Sequence, residues 1–354
     1  MRPLALLLSY ALVQGPLVHP QALPPSASQI LSLFGGYVEA LRVQTGIPGL
    51  AAAVVGDSNV LWAQPFGLEN VESGSPTRTD TLFHFDGLTQ LVTASMVLQC
   101  ADQHRVNLDT PIGVYTPSSV DAAATIAQVL THTSGTPLSF SYKPERLTSL
   151  KFVVETCMGM PFRQAFRTTL ERLGMMQSVP GPDAASTDLS NAELASPETR
   201  QRYQDLLGRL AQPYAVSAQL VPTRSQYNVT TLDAGSGLIS STLDFANFDL
   251  AVRNQVLFSK ATLAAAWRNP VTANGQLLPH GMGWFVQTYN GEPVVWQYGV
   301  DVNASSSLVV TLPNRNITLI LLANSDGLAK PASLSAGDVT VSPFARVFLG
   351  LVVK

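Results

Sequence analysis

Hydrophobic spacing divides the chain into alternating helical and extended stretches. Residues 28–45 repeat apolar positions at helical spacing, so they predict an opening helix. Two extended runs follow, Ala51–Val55 and Val60–Gly67, around a Gly56-Asp57-Ser58-Asn59 turn. Residues 88–104 carry a broad stripe through Leu88, Leu91, Val92, Met96 and Leu98, which predicts a helix buried on most sides. Shorter helices are predicted over 124–137, 147–158 and 161–173. The last two are split at Gly159-Met160-Pro161, where glycine stops one helix and proline starts the next.

Residues 180–200 are polar and predict a surface loop, and 241–256 predict another helix. The pattern then changes period. Extended runs over 281–289, 292–299, 306–313 and 317–325 are separated by Asn290-Gly291 and Pro313-Asn314 turns, and a final helix is predicted over 344–353. Strands at both ends of the chain with helices between them predict an α+β architecture: an antiparallel sheet flanked by helices, with an inserted helical lobe over roughly 87–240.

Composition narrows the class. With 354 residues, 46% hydrophobic and 13% charged, the chain has ample material for a packed core. With a net charge of −3 and no basic run, nothing in the chain suggests nucleic acid, and none is expected as a partner. Residues 1–24 combine Arg2, an apolar run and a Pro/Ser-rich stretch, the layout of a secretory signal peptide. That run is about ten residues, short of the roughly 20 a membrane span needs. The mature part, 25–354, is expected to form one domain, periplasmic or secreted, with no membrane span.

Cys100 and Cys157 both sit in helical patterns. An exported chain could pair them, but nothing in the sequence brings them into reach, and buried free thiols are the expectation. The five histidines show no ligand spacing with the cysteines, so neither a metal nor a cofactor is expected. Asn228, Asn303 and Asn316 head Asn-x-Ser/Thr sequons, which matter only in a eukaryotic secretory pathway.

Several strings in order resemble the serine β-lactamase and penicillin-binding-protein-like family, especially its class C-related branch. They are the approach segment Phe66–Phe85, the turn Leu130-Thr131-His132-Thr133-Ser134-Gly135-Thr136-Pro137, the segment around Phe140-Ser141-Tyr142, Gly235–Phe248, Gly281–Phe285 and Ile320–Gly327. The resemblance implies the family fold and a cleft between sheet and helical lobe. In that cleft a serine attacks a carbonyl, a lysine one turn later takes its proton, a tyrosine assists, and a His- or Lys-containing strand flanks the substrate.

At the positions matching Ser-x-x-Lys this chain reads Gly87-Leu88-Thr89-Gln90. Glycine has no nucleophile, and a glutamine amide is no base near neutral pH. Tyr142 matches the tyrosine, with Pro144 where asparagine is usual, and Gln297-Tyr298-Gly299 stands at the strand motif. The nearest stand-ins, Ser95 and the Thr148-Ser149-Leu150-Lys151 run, lie where packing residues are expected, and His132 and Ser134 belong to a turn that shapes the lobe.

The expectation is a pseudoenzyme with no intact catalytic group. Its remnant cleft, at Gly87, Thr89, Gln90, Tyr142, Gln297 and Gly299, would bind a small peptide or carboxylate ligand. The Gly87 amide and one just after Gly299 would act as an oxyanion-hole-like pair there. Two alternatives are an active esterase or peptidase with a different nucleophile, and a protein-interaction scaffold.

Overall fold

The computed structural model describes residues 25–135, 139–190, 193, 195–272, 274–330 and 332–353. The signal-peptide expectation, and Thr136-Pro137 of the turn motif, lie outside these residues.

In chain order the elements are α1 (Pro25–Thr45), β1 (Gly49–Val55), β2 (Val60–Asn70), β3 (Ser75–Pro76), β4 (Phe83–His84), α2 (Thr89–Asp102), α3 (Ile126–Leu130), α4 (Leu150–Met158), α5 (Phe162–Arg172), β5 (Val179–Pro180) and α6 (Pro197–Leu207). There follow β6 (Tyr214–Val216), β7 (Pro222–Arg224), β8 (Leu238–Ser240), α7 (Thr242–Arg253), α8 (Lys260–Ala266), β9 (Phe285–Tyr289), β10 (Glu292–Asp301), β11 (Ser305–Leu312), β12 (Ile317–Ala323) and α9 (Pro343–Val352).

The main sheet runs β3-β2-β1-β12-β11-β10-β9, so the two ends of the chain meet at the β1–β12 pair. Neighbouring strands are antiparallel throughout. β1 and β12 lack the polar alternation of a half-exposed strand because both faces are covered. Leu50, Ala52 and Val54 face a core shared with Phe34 of α1 and Phe348 of α9. Ala51, Ala53 and Val55 face a second core shared with α2, α4, α5 and α7. A small sheet, β4-β8-β5, links the segment before α2 to the helical part. The architecture is α+β, with an antiparallel sheet and helices on both faces.

Two expectations change. Cys100 and Cys157 are not free thiols: they form a disulfide joining α2 to α4, with Cα atoms 6.3 Å apart. The stretch expected to be loop over 180–200 runs into α6, which starts at Pro197 behind a Ser196 cap. Among the described residues no helix is long and apolar enough to cross a membrane, and no cluster of three His, Cys, Asp or Glu side chains is placed to hold a metal ion.

Candidate functional site

β4 delivers the chain to a 3₁₀ turn, Asp86–Leu88, that runs straight into α2. Asp86 adopts the left-handed backbone region with φ 46°. This conformation is uncommon outside glycine, and Asp tolerates it better than most residues. A buried polar pair fixes it: Ser305 Oγ donates to Asp86 Oδ2 at 2.7 Å, and Ser307 Oγ donates to the Phe85 carbonyl at 2.8 Å. Both serines come from β11, so the sheet sets where Gly87 sits.

Gly87 is pressed against β10. A Cβ at this position would lie 2.6 Å from the Tyr298 carbonyl oxygen and 3.2 Å from Gly299 Cα. The converse also holds. A Cβ on Gly299 would lie 2.4 Å from the Phe85 carbonyl oxygen and 2.6 Å from the Gly87 nitrogen. Here two glycines allow backbone to touch backbone. The place where a nucleophilic side chain would project is taken up by the strand.

Behind this contact, Gln90, Tyr142 and Gln297 meet. Gln90 and Gln297 are fully buried and Tyr142 is half-buried. Gln90 Nε2 donates to Tyr142 Oη and to the Gly87 carbonyl, both at 2.7 Å. Tyr142 Oη donates to Gln297 Oε1 at 3.0 Å.

Two histidines close the network at its ends. The Lys143 backbone N–H donates to His132 Nδ1 at 3.2 Å, which leaves Nε2 as the protonated nitrogen. That Nε2 donates to Gln90 Oε1 at 3.0 Å. At the far end, His280 Nδ1 donates to the Gly281 carbonyl at 2.7 Å, so its Nε2 accepts from Gln297 Nε2 at 3.1 Å. The second hydrogen on Gln297 Nε2 goes to the Gly283 carbonyl at 3.0 Å. Both tautomers and both amide orientations follow from the backbone groups at the two ends.

Every member of this chain is uncharged. Burial holds the His132 imidazole at about 3, and burial holds His280 well below the ordinary histidine value. Burial raises the Tyr142 phenol well above its ordinary value. None of these groups titrates near neutral pH in the direction a general base requires.

The other expected positions fall as follows. Thr89 faces away from this network, and its Oγ1 accepts the Leu238 N–H at 3.1 Å. Ser95 is buried within α2, and its Oγ is not paired with any imidazole or amine. Thr148 donates to the Glu145 carbonyl and to Asp233, while Lys151 Nζ lies 4.9 Å from the Phe152 ring centroid. Neither forms a nucleophile–base pair. Ser134 Oγ donates to Asp121 Oδ2 at 3.0 Å and so braces the turn. His132, expected only to shape that turn, also bonds Gln90. His280 carried no signal: it is a single histidine in a Pro/Gly-rich stretch, 17 residues from its partner Gln297.

Comparison with known proteins places this geometry in a family. A β-lactamase family profile matches residues 34–338. Penicillin-binding protein 4 of Amycolatopsis lactamdurans is 24% identical over 331 residues, covering 81% of this chain and 83% of the relative. A penicillin-binding protein homologue from Pyrococcus abyssi superposes with a TM-score of 0.71 at 17% identity, covering 90% of this chain and 77% of the homologue. A class C β-lactamase from Rhodobacter sphaeroides superposes with a TM-score of 0.63 at 16% identity, covering 83% and 94%.

Proposed function

The chain belongs to the β-lactamase family, and on that premise we propose that it is an exported pseudoenzyme, a member that has given up acyl transfer. The observation that carries this reading is the neutral hydrogen-bonded chain from His132 through Gln90, Tyr142 and Gln297 to His280. It occupies the place where the family resemblance puts a charged catalytic cluster, and its polar groups are already paired with one another.

Acyl transfer needs a nucleophile, a base to take its proton, and room for a tetrahedral carbon. Gly87 offers no nucleophile and Gln90 no base. The Tyr298 carbonyl takes the room, at 2.6 Å from where a Cβ would stand. The same closeness weighs against a carboxylate or peptide end seated on the Gly87 amide. Export is supported by the signal-like residues 1–24 and by the Cys100–Cys157 disulfide, a bond that persists in oxidising compartments.

The test is direct. The purified protein is incubated with a fluorescent penicillin and weighed intact, and separately offered p-nitrophenyl esters. The expected result is an unmodified mass and no turnover above the buffer rate. A stable acyl adduct, or turnover abolished by replacing one Ser, Thr or Tyr, overturns the reading and restores an active hydrolase.

A further inference from the structure

We propose that the outer face of α1 docks a second copy of this chain, α1 against α1 about a two-fold axis. The inner face of α1 is spoken for: Leu31, Phe34 and Val38 are buried, and Phe34 packs on Trp62 of β2 and Phe348 of α9. On the opposite side Leu33, Tyr37 and Val43 are 51%, 45% and 57% exposed. Single exposed apolar residues are ordinary, but three within about three turns of one helix form a contiguous face of the kind that marks a contact surface. Ser32, Gly36 and Ala40 are exposed among them. A Cβ on Gly36 would meet nothing within 4 Å, so another helix can approach closely there.

Charge selects the occupant. α1 holds two charged residues, Glu39 and Arg42, and they cancel. Arg42 Nε and Nη2 each donate to a Glu39 carboxylate oxygen at 2.7 Å, and Nη1 donates to the Ile47 carbonyl at 2.7 Å. The face is therefore neutral and has nothing to offer a strongly charged partner of either sign. It also lacks the free cations that helices lying on anionic lipid carry on their polar side. A copy of itself meets no like-charge repulsion.

An axis crossing α1 level with Val38 lays the two helices antiparallel. That sets Gly36 opposite Ala40 of the partner subunit, brings Tyr37 beside its symmetry mate and opposes the two helix dipoles. Along one flank α1 and β2 leave a groove of about 580 Å³ lined by Ser32, Gly36, Glu39, Trp62, Gln64 and Phe66, which supplies hydrogen-bonding groups for the rim. α1 is about 31 Å long, and with its flanks roughly 20 Å across, so each copy would bury about 600 Å². The pair then buries about 1,200 Å², the lower bound of specific interfaces, and micromolar affinity is expected. Pairing through the sheet is the competing route, because β3 covers only Leu68 and Asn70 of β2. Pro65, opposite Ala51 on the uncovered part of that strand, has no N–H to donate and interrupts the edge.

The test is sedimentation velocity of the purified chain from about 1 to about 300 µM, a span that brackets micromolar affinity. The expected result is a concentration-dependent rise to twice the monomer mass, and a monomer throughout overturns the proposal. Gly36→Arg and Leu33→Glu each place a charge in the contact and should weaken pairing by about tenfold or more. Val120→Glu, at an exposed position of the helical lobe, should leave it unchanged. A dimer indifferent to both α1 variants overturns the assignment to this face. Because Cys100 and Cys157 pair, Ala40→Cys supplies one free thiol without adding charge. A short bismaleimide should join Ala40→Cys copies and leave Val120→Cys copies single; the reverse overturns the placement even where a charged variant fails to fold. Vesicles of phosphatidylcholine or phosphatidylglycerol should not retain the protein, and a monomer that partitions onto either overturns the second copy in favour of a lipid surface.

Discussion

Restoring the missing nucleophile should damage the protein rather than revive it. In Gly87→Ser the new Cβ must stand 2.6 Å from the Tyr298 carbonyl oxygen and 3.1 Å from Tyr142 Oη. The Tyr298 carbonyl is strand backbone, paired with β11 at Tyr298↔Leu308 and beyond the end of the β9 pairing at Trp296, so it moves only if the strand moves with it, unlike the end of a side chain. Forced overpacking in an interior costs about 1–3 kcal/mol and occasionally more. With a strand backbone as the obstacle, we expect the upper end, about 3 kcal/mol. Unfolding entropy near 2.1 cal/mol/K per residue gives about 0.7 kcal/mol/K for a chain of this size, so Tm should fall by about 4 °C.

The assay is differential scanning fluorimetry of the parent, Gly87→Ser and Gly87→Ala, with p-nitrophenyl acetate turnover on each and on Gly87→Ser/Gln90→Lys. Gly87→Ala carries the same Cβ without the hydroxyl, so both single variants should lose similar stability and all should stay inactive. An unchanged Tm in Gly87→Ser, together with ester turnover in the double variant, would refute the claim that the site is closed by contact.

Three further outcomes follow from the same geometry. Gln90→Leu removes the acceptor of His132 Nε2–H and the donor to Tyr142 Oη and the Gly87 carbonyl. It should lower stability in urea titration by about 3 kcal/mol, at 1–3 kcal/mol for each stranded buried group, and a neutral effect would mean the network contributes nothing. Reduction, or Cys100→Ser/Cys157→Ser, frees a cross-link spanning 57 residues; the chain-entropy relation predicts about 4 kcal/mol, readable as a Tm drop with dithiothreitol. As for pH, buried His132 and His280 stay neutral when folded but take up protons at about 6.5 once unfolded, so acidification below that value should cost up to about 1.4 kcal/mol per pH unit for each. Asp244, pushed up to about 6 by burial, opposes this between about pH 4 and 6 because there the folded state holds the extra proton. An Asp244→Asn variant should therefore lose stability more steeply across that window than the parent, and parallel profiles would argue against the assignment.

Much of the fold was legible because both of its periods are strong. The runs that became β1, β2 and β10–β12 are apolar and bounded by turn residues, and the stripe of α2 is buried from Thr89 to Cys100. α6 was missed because only Tyr203 and Leu206 of it are buried, so its apolar face is too narrow to register. The disulfide was missed because pairing depends on how α2 and α4 cross, which spacing along the chain does not encode. At the site, Gly87, Gln90, Tyr142 and Gln297 were identifiable by motif, and the structure brings them together. Three other features were not legible: the role of His132 and His280 as partners to the two glutamines, the turning away of Thr89, and the closure of the space itself. Each depends on how segments far apart in sequence meet in space, and no local pattern reports that.

The Gly87–Gly299 contact also bears on reversibility. A serine at 87 can fit only if β10 retreats, and a retreat of β10 carries Gln297 away from Tyr142 and unsettles the amide orientations fixed along the whole chain of bonds. Placing a side chain at 87 and dismantling the present interior are thus a single event. A side chain at 87 and the present hydrogen-bonded interior exclude one another, so a single substitution there cannot keep both.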